Sequence, residues 1–170
     1  MFVQQTTPKT ISNKLKNYCL KVSSELPCFV DVEPDAEGRA RHCYLNSARY
    51  VRKNPGASIV FGWVVWESSI ILELEAHSVV RLEDGRLIDV TPPVDGERKI
   101  LFLPDRAAAP RFDFNSSSGI GFWVTSFHNL IFPTTQKSQR QVLSRDESSD
   151  PAENAADFAE KYPGLTLKRT

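Results

Sequence analysis

The sequence predicts an α+β fold: a central antiparallel β-sheet packed against an N-terminal helix and a second helix that begins around Cys43. Two amphipathic stretches near the start, a long run of β-branched and aromatic segments after residue 57, and an Asp84-Gly85 turn between two of those segments carry that prediction. Residues 11–26 place Ile11, Leu15, Leu20 and Val22 among lysines, as a helix with one apolar stripe would, and Pro27 closes them. Residues 28–32 (CFVDV) read as a short strand, and the charged loop EPDAEGRA follows. Residues 42–52 put Tyr44, Ala48 and Val51 on one stripe, and Asn54-Pro55-Gly56 stops that second helix.

From residue 58 the pattern changes period. SIVFGWVVWE (58–67) is rich in the residue types that favour strands, and IILELEAHSVVRL (70–82) alternates for most of its length. RLIDVTP follows the Asp84-Gly85 turn, and 99–103 and 121–132 are further strands. Residues 134–149 are dense in Ser, Gln and Arg and read as a polar, mobile segment. Asp150 and Pro151 supply an N-cap and a first-turn proline for a C-terminal helix over 150–162. At 170 residues the chain fits a single domain, with its core over about 10–133.

Composition removes several classes of function. Lys plus Arg and Asp plus Glu both total 21, so no net charge draws the chain to nucleic acid or to an anionic membrane. No apolar run approaches the roughly 20 residues that span a bilayer, and the opening MFVQQTTPKT has no apolar segment of the secretory kind. Cys19, Cys28 and Cys43 make an odd count without CxxC spacing, which argues against a disulfide framework and for the cytoplasm.

Cys43 falls in the first turn of the second helix. There the unpaired backbone N–H groups and the positive end of the helix dipole favour thiolate, the nucleophilic form, and can stabilise an oxyanion. His77 sits mid-strand on the odd face with Glu73 and Glu75, while the even face is apolar. Asp89 interrupts an apolar strand that otherwise disfavours it. Hairpin register decides whether the last two meet. A two-residue loop pairs Glu83 with Arg86 and sends His77 and Asp89 to opposite faces. A three-residue loop, Glu83 to Gly85, pairs Leu82 with Arg86 and brings them to one face within roughly 7–8 Å. The sequence allows both.

RHCYLNSARY, FGWVVWE and EAHSVVRLEDGRLIDVTP, in that order over residues 41–92, resemble the papain-like and transglutaminase-like superfamily. Cys43-x-x-Asn46 with HSVV and LIDVT is locally similar to N-terminal glutamine amidohydrolases. The resemblance implies a papain-like/transglutaminase-like core and a Cys43–His77–Asp89 triad. It implies thiol hydrolysis or transfer on a carboxamide through a thioester, with a protein, peptide or small carboxamide as substrate and no cofactor or metal. A cysteine peptidase is a near alternative. From another class, the same three residues would hold Zn²⁺, or the chain is a non-catalytic interaction module. Three further residues stand near this chemistry. Asn46 either orients substrate or bonds to backbone, Trp63 lines a groove or packs in the core, and Glu75 flanks the site or forms a solvated face.

Overall fold

The computed structural model describes residues 5–69, 71–113, 120–130, 135–143 and 155–165, with 113, 120–130 and 135–143 as backbone. The described residues form three α-helices and eight strands. In chain order these are α1 (Asn13–Cys19), β1 (Cys28–Val32), α2 (Cys43–Lys53), β2 (Ser58–Glu67), β3 (Ile71–Arg81), β4 (Leu87–Asp89) and β5 (Lys99–Pro104). A 3₁₀ turn (Arg106–Ala108), β6 (Arg111–Asp113), β7 (Ile120–Leu130), β8 (Thr135–Leu143) and α3 (Ala155–Lys161) follow. The α+β class holds, and no helix among the described residues is long and apolar enough to cross a membrane.

The sheet is neither wholly antiparallel, as expected, nor open. Its order is β2-β5-β1-β4-β3, and β2 also pairs with β3, so five strands close into a ring. β7 extends the sheet from β3 and carries β6 and β8. One pairing is parallel: Asp31 with Ile88 and Val32 with Asp89, between β1 and β4. A parallel pair needs a long crossover, and here α2, β2 and β3 supply it.

Closure separates two larger cores among the described residues, beside a smaller cluster of Val80, Ile88 and Val90. Helix-side faces pack with α1, α2 and α3 around Trp63, Val65, Leu74, Leu101 and Leu103; α3 adds Phe158, and Tyr162 just after it joins them. Inside the ring, Val30, Val64, Val79, Ile100 and Phe102 pack together without any helical residue. Gly62 marks how tight that interior is. A Cβ there would stand 2.2 Å from the Leu103 carbonyl oxygen and 2.5 Å from Phe102 Cζ. Both obstacles are held by packing, so Gly62→Ala should destabilise the fold by about 3 kcal/mol or more, read as a lowered denaturant midpoint.

Two elements depart from the sequence reading, and a third is described only in part. α1 ends at Cys19 rather than at Pro27, because Ser23 turns the chain: its hydroxyl donates to the Pro104 carbonyl and accepts from Glu25 N–H. The polar stretch 134–149 contains β8, whose ladder with β7 runs from Ile120↔Leu143 to His128↔Thr135. The Asp150-Pro151 start expected for the last helix lies outside the described residues, within which α3 runs Ala155–Lys161.

Candidate active site

The hairpin between β3 and β4 adopts the three-residue loop. Leu82 N–H donates to the Arg86 carbonyl at 2.9 Å and Gly85 N–H to the Leu82 carbonyl at 3.0 Å. Gly85 takes φ 87°, a conformation that costs a side-chain-bearing residue. Asp84 fixes the turn by accepting from Arg86 N–H at 2.9 Å. The ladder then reads Arg81↔Leu87 and Val80↔Ile88, the register that brings His77 and Asp89 to one face.

That face looks into the ring. His77 lies opposite Gly62 on β2, where the Phe102 ring stands, and two residues from Val79 of the interior core. The expectation of a solvated odd face therefore fails beyond Glu75, since ring closure buries the second side of β3. β7 pairs with Ile71 to Glu75 and β4 with Val80 and Arg81, so His77 occupies the interval between the two ladders.

His77 Nε2 donates to Asp89 Oδ2 at 2.9 Å, with side chains 15% and 6% exposed respectively. Asp89 Oδ1 accepts from Thr91 N–H at 2.9 Å, so both carboxylate oxygens are engaged. The Cys43 side chain lies close enough to the His77 ring to raise its pKa, and with Nε2 on Asp89 the nitrogen left for it is Nδ1. Burial opposes charge on the imidazole, but Asp89 and the Cys43 side chain outweigh it, and His77 is held well above its ordinary pKa of 6.5. Burial alone pushes the Cys19 thiol up to about 11 and raises that of Cys28, so those two stay protonated at neutral pH.

A folded-state pKa above the unfolded value means that His77 contributes stability fully below pH 6.5. That contribution fades as pH rises from 6.5 through the raised folded value. Thermal midpoints measured across that window should fall with pH, and Asp89→Asn should flatten the slope.

Cys43 is the first residue of α2, and His42 caps the helix without a side-chain hydrogen bond. The first helical rung is Asn46 N–H to the His42 carbonyl at 2.9 Å, so the Cys43 N–H has no helical carbonyl to bond. It remains a donor beside its own sulfur. Arg41, just before, takes the left-handed conformation at φ 66°, a strain of about 1–3 kcal/mol that its surroundings must offset.

Ser47 and Ser78, which sequence reasoning passed over, set the helix against the strand. Their hydroxyls meet at 2.9 Å, and both residues are fully buried. Ser47 lies one turn below Cys43 on the same helix face, and Ser78 follows His77, so this contact fixes the helix register opposite the imidazole. A hydroxyl on the apolar face of each element was the available signal.

The structure places the three further residues near this chemistry as follows. Trp63 is 2% exposed in the helix-side core, with Nε1 donating to Asp105 Oδ2 at 2.8 Å, because β5 and the 3₁₀ turn fold over it. Asn46 is fully buried and bonded to Arg39, Arg49 and Thr91. Glu75 is exposed and accepts from Trp66 Nε1 at 2.8 Å. Among the described residues no group of three His, Cys, Asp or Glu side chains is arranged to hold a metal ion. No family model, curated protein or solved structure matches this chain.

Proposed function

We propose that the chain is a thiol hydrolase or transferase that acts on a carboxamide, of the glutamine type, through Cys43, His77 and Asp89, on a core of the papain-like/transglutaminase-like kind. The observation that carries this reading is the buried imidazole between a helix-start thiol and a carboxylate, with Nε2 on Asp89 and the other ring nitrogen toward Cys43. A bridge of this kind suits proton relay. In a zinc site the three side chains would converge on one point instead, with the imidazole nitrogen aimed at the ion rather than at its fellow ligands.

The chemistry follows from the arrangement. The Cys43 thiolate attacks the carboxamide carbon, and the C–O π pair moves onto oxygen, where the Cys43 N–H and the helix N-terminus stabilise the charge. Collapse reforms the carbonyl and breaks the C–N bond as the His77 imidazolium gives its proton to nitrogen. Ammonia leaves, and a thioester to Cys43 remains. Water, or an amine, attacks the thioester while neutral His77 takes its proton, and Cys43 departs as thiolate. Asp89 holds the ring orientation throughout and offsets the imidazolium charge.

Ammonia release from peptides carrying N-terminal or internal glutamine tests this reading, with and without a primary amine as acceptor. Release that depends on the thiol is the expected result. Glutaminyl peptides that yield no ammonia, together with peptide-bond cleavage elsewhere, would move the assignment to a peptidase.

A further inference from the structure

Resting on the triad reading above, we infer that Asn46 and Thr91 are positioning residues that lock the nucleophile's approach loop to the carboxylate end of the triad. The Asn46 amide pairs with the backbone of Arg39 twice. Arg39 N–H donates to Oδ1 at 3.0 Å, and Nδ2 donates to the Arg39 carbonyl at 2.7 Å. The remaining capacity is also spent: Arg49 Nη2 donates to Oδ1 at 2.8 Å, and Nδ2 donates to Thr91 Oγ1 at 3.3 Å. Both protons and both lone pairs are thereby used, so this buried amide has nothing left for a substrate.

What the amide joins gives it a role. Arg39 stands two residues before Arg41, the left-handed residue through which the chain enters α2 and presents the Cys43 N–H. Thr91, 6% exposed, uses its own N–H to hold Asp89 Oδ1. A closed circuit results: Cys43 to Asn46 along the first helical turn, Asn46 to Thr91, Thr91 to Asp89, Asp89 to His77, and His77 back to Cys43. Slack at Asn46 is felt at both ends, at the thiolate through the loop and at the imidazole through Asp89. Small displacements at reacting groups cost far more rate than stability.

The test needs no substrate. Full-length protein is treated with iodoacetamide across a range of pH, and Cys43 modification is followed by mass spectrometry, with thermal melting measured on the same samples. For Thr91→Val, which keeps the backbone N–H to Asp89 but loses the hydroxyl, alkylation of Cys43 at pH 7 should slow about 10-fold, and its half-maximal pH should move upward. Thr91→Ser restores the hydroxyl and should return to within about 2-fold of the parent. Asn46→Ala should slow alkylation at least as much as Thr91→Val. If it fails to fold, the Thr91 pair carries the test alone. Parent-like alkylation in folded Thr91→Val, or a Thr91→Ser variant as slow as Thr91→Val, would overturn the positioning role. A parent protein whose Cys43 reacts no faster than Cys19 and Cys28 would sink the triad reading itself, and this inference with it.

Discussion

Cys43→Ala should reduce carboxamide turnover by about 10⁴-fold or more while the fold survives. In the proposed reaction the thiolate bonds to substrate, and no other described cysteine is placed to replace it. Cys19 is fully buried with its pKa near 11, and Cys28 belongs to the edge of the interior core. Position makes the substitution tolerable. Cys43 heads α2 at 9% exposure, alanine suits a helix, and Ser47–Ser78 still fixes the register. The lost partner of His77 should limit the stability change to about 1–2 kcal/mol. Ammonia release and thermal melting, measured on one preparation, separate loss of the nucleophile from loss of structure.

Asp89→Asn should slow turnover on the order of 10–10³-fold with the fold retained. The amide oxygen can still accept from Thr91 N–H, which leaves the NH₂ group facing His77 Nε2. Nε2 must then accept, and the ring proton moves to the nitrogen that faces sulfur. That tautomer cannot take the thiol proton. The loss is smaller than in a serine triad because a thiolate–imidazolium pair forms more readily than an alkoxide. Single-turnover rates at neutral pH, compared with those of the parent, measure it.

The parts of this site that were legible in the sequence are those set by local chemistry. Asp84-Gly85 permits a three-residue loop with a left-handed glycine, and that loop alone determines whether His77 and Asp89 share a face. The periodicity of residues 42–52 announced α2, and the β-rich runs announced β2 and β3, because each depends on neighbours within one turn or one strand. Ring closure was not legible. The parallel β1–β4 pairing joins segments separated by three other elements, and nothing in CFVDV or LID specifies the partner. The second buried face of β3 was missed for the same reason.

Residue type alone left alternatives open where the chain folds back on itself. The sequence left Trp63 open between groove and core and Asn46 between substrate and backbone, and Asp105 and Arg39, distant or off the helix, claim their polar atoms. β8 escaped notice because TQKSQRQVL has no apolar alternation, the signal by which half-buried strands are read. Conversely, an aspartate in an apolar strand was a sound flag: Asp89 is 4% exposed with both oxygens bonded.

The most direct measurement is the mass of the Cys43 peptide after rapid acid quenching of the enzyme mixed with a glutaminyl peptide. A covalent thioester is expected on Cys43, heavier by the substrate mass less one ammonia and released by hydroxylamine. It should accumulate further in Asp89→Asn if hydrolysis of the thioester slows more than its formation. Ammonia released while Cys43 stays unmodified, with the adduct on another residue, would contradict the account.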